Sequence, residues 1–208
     1  MLGRLRPWVA KAWRAPAAGL VRLGVHPNAV TIAGTVGAVA AAVWFFPQGG
    51  RMLFWGVVAV TVCAGTDMLD GTMARLSGKS SRLGAFLDST LDRVADAAIF
   101  GALMWGLLDV HRPTALAAFF AMLLGTLVPY ARARAEGLGI EAKGGIAERP
   151  DRLVIGGIAT AAVGLGAPMV ILTVTLWVLA AAAAFTVAQR IGMVVRATRD
   201  DATGAATS

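Results

Sequence analysis

Residues 57–107 read VVAVTVCAGTDMLDGTMARLSGKSSRLGAFLDSTLDRVADAAIFGALMWGL. Two apolar runs in this stretch carry Asp67, Asp70, Asp88, Asp92 and Asp96, and a short polar link from Leu76 to Arg82 separates them. Asp67 and Asp70 stand three apart, while Asp88, Asp92 and Asp96 are spaced by four, so on helices each set projects from one face. The link is short enough that the two helices are expected as antiparallel neighbours with their acidic ends side by side. One Asp at the centre of a membrane helix costs ~2.5–3.5 kcal/mol. Several together therefore point to a shared polar cavity or a cation.

The surrounding chain is also apolar. Of 208 residues, 57% are hydrophobic and only 15% charged, which removes the chain from ordinary soluble domains. A bilayer span needs about 20 apolar residues, and candidates lie near 29–46, 52–74, 83–108, 113–131, 153–170 and 170–189. The expected fold is an all-α integral membrane protein of six transmembrane helices, forming one domain over residues 25–196. The fifth span is expected to be short or tilted, because Gly166, Ala167 and Pro168 follow its apolar run. Residues 197–208 are small and polar and are expected to form a disordered tail.

The net charge of +7 would suit nucleic acid if the basic residues clustered on one face. They fall instead before span one, between spans two and three, between four and five, and after span six, whereas the opposite connections carry only Arg51 and Arg112. This positive-inside pattern puts both termini in the cytoplasm and implies no nucleic-acid partner. Residues 1–24 lack acids and are rich in Arg, as a transit peptide would be. Trp8, Val9, Trp13, Ala17 and Leu20 recur at near-helical spacing, which favours an interfacial amphipathic helix among membrane lipids. Cys63 is the sole cysteine and reads as packing.

An all-carboxylate site without nearby His or Cys selects hard cations, Mg²⁺ or Mn²⁺, and four carboxylates can hold two ions. Such a pair can grip a diphosphate and acidify a hydroxyl. Gly71, Ala74 and Gly84 leave room on the same faces, and Arg75 offers a planar donor fork to a phosphate.

In order, the residues are Asp67, two residues, Asp70-Gly71, two residues, Ala74-Arg75, eight residues, Gly84, three residues, Asp88, three residues, Asp92. This string resembles the signature of the CDP-alcohol phosphotransferase family. The resemblance implies a six-helix membrane enzyme, usually a homodimer, with a cavity open to the cytoplasm at the cell membrane. It implies that Asp67, Asp70, Asp88 and Asp92 are metal ligands, that Asp92 is also the general base, and that two metal ions serve each site. The donor it implies is CDP-diacylglycerol, held by Asn28, Ala29, Val30 and Thr31 before span one and by Gly71, Arg75 and Ser81. Asn28 also reads as a helix N-cap, and the two roles are compatible. Asp96 lies outside the signature, and it reads equally as a partner to a buried polar group or as a support to the site.

The acceptor is less directly legible. Arg132, Arg134, Arg149, Arg152 and Arg190 could converge on an acceptor phosphate, or could simply follow the positive-inside rule. The stretches 129–137 and 145–153, with Gln189-Arg190, resemble the actinobacterial phosphatidylinositol phosphate synthases. That resemblance implies inositol 1-phosphate as acceptor, with Arg132, Arg152 and Arg190 on its phosphate. The chain departs from some members in having Pro129 and Arg132 where they carry Ser and Lys. Two alternatives remain: a phosphatidylglycerophosphate synthase using glycerol 3-phosphate, and an ion-coupled transporter whose acids relay cations.

Overall fold

The computed structural model describes residues 15–78, 81–142, 144–145 and 149–205, without the side chains of 67–68 and 200–205. Every regular element among these residues is helical. A short helix over 15–22 precedes α1 (Pro27–Phe45). Of the interfacial helix expected over 1–24, residues 1–14 lie outside the described residues.

Helix α1 is capped two residues earlier than the sequence suggests. His26 is the N-cap, its Nδ1 accepting the Asn28 N–H at 3.3 Å, and Pro27 opens the helix. Pro has no N–H to leave orphaned in a first turn, and its φ is already helical. This corrects the expectation that Asn28 caps the helix, and it leaves the Asn28 side chain for other contacts.

After the 3₁₀ turn Phe46–Gln48, α2 (Arg51–Ala64) and α3 (Thr66–Ser77) meet at Gly65. The expected span over 52–74 is therefore two helices. Gly65 keeps α-region angles and its N–H reaches Thr61 O at 3.0 Å, so the helical course is hardly interrupted. Gly78 ends α3 in the left-handed region, φ 64°, with its N–H on Ala74 O. A residue without Cβ reaches that conformation at little cost. Ser81 then accepts the Gly84 N–H at 2.9 Å, as an N-cap side chain does, and α4 (Arg82–Leu107) follows.

The remaining helices are α5 (Arg112–Glu136), α6 (Arg149–Gly164) and α7 (Met169–Ala205). The last runs beyond 196, so residues 197–205 extend a helix where a disordered tail was expected. No Pro interrupts the run, and the Thr198 hydroxyl bonds back to Val194 O at 3.0 Å, so nothing local breaks the ladder. Residues 206–208 lie outside the described residues.

The contacts group the chain into two units. One comprises residues 1–46 and 55–99, the other 47–54 and 100–208. In the first, α1 packs on α3. Gly34 permits this, since a Cβ there would strike the Thr66 hydroxyl, and Cys63 Sγ would stand 2.9 Å from a Cβ on Gly37. Cys63 is therefore a packing residue, as its surroundings predict.

In the second unit, α7 packs along both α5 and α6. Buried Ala115, Ala117, Ala118 and Ala121 of α5 and Leu172, Leu176 and Ala183 of α7 supply small and large surfaces for close packing. At the start of these helices the Thr114 and Thr173 hydroxyls meet at 2.5 Å, with His111 Nδ1 2.7 Å from Thr114.

Large apolar side chains such as Val36, Trp44, Val62, Trp105, Ile158 and Val178 are exposed, the inverse of a water-soluble surface. The chain is a membrane protein. Pro27–Gln48, Arg51–Ser77, Arg112–Glu136 and Met169–Arg199 are long and apolar enough to cross a bilayer. Two of the six expected spans fall short of that test for physical reasons. α4 carries Asp88, Asp92, Arg93 and Asp96, and the 16 residues of α6 rise only ~24 Å.

Candidate active site

The acidic motif, its Gly spacing and residues Asn28 to Thr31 in the first turns of α1 all fall in the first unit. Asp70 is buried, and the Thr31 hydroxyl donates a short hydrogen bond to its Oδ2. Thr31 belongs to the first turns of α1 and Asp70 to α3, so this bond ties the expected nucleotide segment directly to an expected metal ligand. Asp88, exposed on α4, is close enough to Asp70 for their charges to interact unfavourably. Acids from two helices therefore share one electrostatic neighbourhood.

The glycines of the signature have different surroundings. A Cβ on Gly71 would meet nothing within 4 Å, so the flank of α3 next to Asp70 is open. A Cβ on Gly84 would meet Asn28 Oδ1 and Ser81 Oγ, each at 3.3 Å. Gly84 thus allows the start of α4 to approach Asn28 closely, and it brings Asn28 and Ser81, two residues expected to bind CDP-diacylglycerol, to the same place. Ala29 and Val30 line an apolar cavity of about 350 Å³ with Val25, Ala33, Gly34, Val62, Cys63 and Thr66. Arg75 is exposed on α3 and rests one amino group on Thr72 Oγ1 at 3.2 Å.

Asp92 is half-buried and pairs with its neighbour Arg93 at 3.4 Å. The sequence reading overlooked Arg93, whose charge within an apolar helix was the available signal. Asp96 is buried one turn further along α4. Among the described residues no three acidic, His or Cys side chains form a ready metal cage, and the Asp67 side chain lies outside them. The donor chemistry still fits a hard cation. A buried carboxylate with a second carboxylate's charge nearby, and open space beside it, is relieved by a divalent ion with oxygen preference.

The three arginines expected at the acceptor phosphate belong to the second unit. Arg152, 3% exposed in the first turn of α6, lays its guanidinium against Gly125 of α5, where a Cβ would overlap Nη1. Arg190 of α7 is also buried. It donates from Nη1 to Val128 O in a short bond, and from Nε and Nη2 to Gly144 O at 3.3 and 3.1 Å. These two guanidinium groups therefore sit on one stretch of α5. Arg132 does not join them; it is exposed and pairs with Glu136 at 2.8 Å.

The sequence pattern of the CDP-alcohol phosphatidyltransferase family matches residues 24–188. The chain belongs to that family. It is therefore a phosphatidyltransferase rather than a transporter, and the matched region takes in the acids, the first turns of α1 and the arginines of α5 and α6.

Named relatives narrow the likeness. The chain is 44% identical over 191 residues to a phosphatidylinositol phosphate synthase of Mycobacteroides abscessus, covering 89% of this chain and 84% of the relative. It is 43% identical over 199 residues to one from Streptomyces avermitilis, covering 91% and 81%.

Its fold also matches crystal structures of the Mycobacterium tuberculosis phosphatidylinositol phosphate synthase. With CDP-DAG bound, that structure gives a TM-score of 0.82 at 37% identity, over 88% of this chain and 94% of the other. In complex with manganese and citrate it gives 0.81 at 37% identity, over 88% of each chain.

Proposed function

We propose that this protein transfers the phosphatidyl group of CDP-diacylglycerol to inositol 1-phosphate, producing phosphatidylinositol phosphate and CMP. The observation that carries the reading is the Thr31–Asp70 bond, which joins the nucleotide segment to the acid cluster beside the open flank of Gly71. The relatives named above support the substrate pair.

Asp67, Asp70, Asp88 and Asp92 would hold two divalent ions, Mg²⁺ or Mn²⁺. When bound, such ions supply the positive charge that offsets a diphosphate and its leaving group. Asn28, Ala29, Val30, Thr31, Gly71, Arg75 and Ser81 hold the nucleotide end of the donor. Asp92 takes the proton of the acceptor hydroxyl. That oxygen bonds to the β-phosphorus while the bond from this phosphorus to the CMP oxygen breaks, and CMP leaves with the bonding electrons. Arg152 and Arg190 bind the acceptor phosphate, and Arg132 would join them by leaving its pair with Glu136.

The protein sits in the cell membrane as a multi-pass homodimer, with its termini and active site on the cytoplasmic side. Loop arginines support this orientation. Trp44 and Trp105, exposed in the last turns of α1 and α4, suit the opposite interface.

Mass spectrometry of the lipid product tests the substrate assignment. Phosphatidylinositol phosphate is the expected product from CDP-diacylglycerol and inositol 1-phosphate. Formation of phosphatidylglycerophosphate from glycerol 3-phosphate, with no product from inositol 1-phosphate, would overturn the acceptor while retaining the donor chemistry.

A further inference from the structure

We propose that Gly125 is a specificity-determining positioning residue, whose missing side chain seats the Arg152 guanidinium for a phosphomonoester acceptor. The inference rests on the acceptor reading above and adds a residue outside both the acidic signature and the arginine set.

Gly125 lies buried in the interior of α5, where glycine is about 1 kcal/mol less favourable than alanine in helix propensity. Its presence therefore calls for a local reason, and the geometry supplies one. A Cβ at this position would overlap Arg152 Nη1, stand 2.8 Å from Cζ and stand 3.4 Å from Nη2. The guanidinium thus lies against the helix backbone in a notch that any side chain would fill. It enters that notch from the first turn of α6, so Gly125 couples two helices through one charged group.

Three residues further along α5, the Val128 carbonyl accepts from Arg190 Nη1. The stretch 125–128 thereby sets where two buried guanidinium groups lie relative to each other. A planar fork binds a phosphate well only when its plane and distance are held. A methyl group at Gly125 moves one fork while leaving the other on its carbonyl. Because the displaced atoms are the far end of a flexible side chain, the helices need not separate to admit the methyl.

Arg152 acts on the acceptor, so Gly125 acts through Arg152. This makes a coupling test available. Steady-state constants for both substrates would be measured for wild type, Gly125→Ala, Arg152→Ala and the double variant. Gly125→Ala is expected to raise the inositol 1-phosphate KM about ten- to hundredfold, the loss of a charge-assisted hydrogen bond. The CDP-diacylglycerol KM and kcat should stay near wild type. In the Arg152→Ala background, Gly125→Ala should add nothing.

An unchanged acceptor KM in Gly125→Ala overturns the proposal, as does an equal effect with and without Arg152. Thermal stabilisation of the detergent-solubilised protein by inositol 1-phosphate provides a second readout if a variant turns over too slowly. Both single variants should lose it while keeping stabilisation by CDP-diacylglycerol; loss of both responses in Gly125→Ala would mark a packing residue and overturn the proposal. If wild type itself uses a different phosphorylated alcohol, the acceptor reading fails and the same cycle with that alcohol decides the role of Gly125. Use of an unphosphorylated alcohol alone would overturn both.

Discussion

The Thr31 hydroxyl of α1 donates to the buried Asp70 carboxylate of α3. Thr31 also lies within hydrogen-bond reach of Pro27 O, at 3.3 Å, so its one proton has two acceptors on offer. A charged acceptor binds the stronger of the two, since hydrogen bonds to charged groups contribute about 1.5–3 kcal/mol against about 1 for neutral pairs. Thr31 therefore orients one carboxylate of the acid cluster from the segment that is expected to meet the nucleotide.

Replacing Thr31 with Val keeps the shape and removes the donor. The expected result is an activity loss of about tenfold or more, partly restored by raising Mg²⁺, with Thr31→Ser close to wild type. Mg²⁺ titrations of initial rate would check this, and a Val variant with an unchanged metal requirement would separate Thr31 from the cluster.

Asp88 and Asp92 should behave differently when each is changed to Asn. Asp88 is exposed and near Asp70 in charge, so Asp88→Asn is expected to abolish turnover together with Mn²⁺ binding. Asp92→Asn should remove the base while much of the Mn²⁺ binding survives. Electron paramagnetic resonance of Mn²⁺ alongside CMP release distinguishes the two. Near-normal turnover in Asp92→Asn would show that another group takes the proton.

The helical fold, the acid faces and the Gly spacing could be read from the sequence because they depend on periodicity and on the cost of charge in an apolar setting. The break at Gly65 could not be read, since neighbouring Ala64 and Thr66 continue the same apolar run. Nor could the cap at His26. Asn28 is the stronger N-cap by residue type, and only the placement of Pro27 at the first helical position moves the cap two residues back. Arginine assignments were legible as charges near a loop, but not as geometry. The burial of Arg152 and Arg190, and the outward pairing of Arg132 with Glu136, depend on which helices meet.

Arg190 makes three bonds to the backbone carbonyls of Val128 and Gly144, so it is structural as well as a candidate ligand contact. Arg190→Ala is expected to lower thermal stability by about 1.5–3 kcal/mol, through loss of the charge-assisted bonds to Val128 O and Gly144 O. It should also raise the acceptor KM. Melting in detergent and steady-state kinetics together would show both effects, and a stability equal to wild type would contradict the bonding seen here.

The hydroxyls of Thr114 and Thr173, with His111, join the starts of α5 and α7 away from the acid motif in sequence. Thr114→Val should destabilise the protein by about 1–3 kcal/mol through the polar groups it strands, with both substrate KM values unchanged. A large KM change would mean that this end of the helices takes part in substrate binding.

The most direct measurement is CMP release from CDP-diacylglycerol by the purified protein in detergent, with Mg²⁺ and then with excess chelator, across inositol 1-phosphate, free inositol, glycerol 3-phosphate and serine. The expected result is metal-dependent release with inositol 1-phosphate alone. Release that persists in chelator, or that no alcohol supports, would contradict the account.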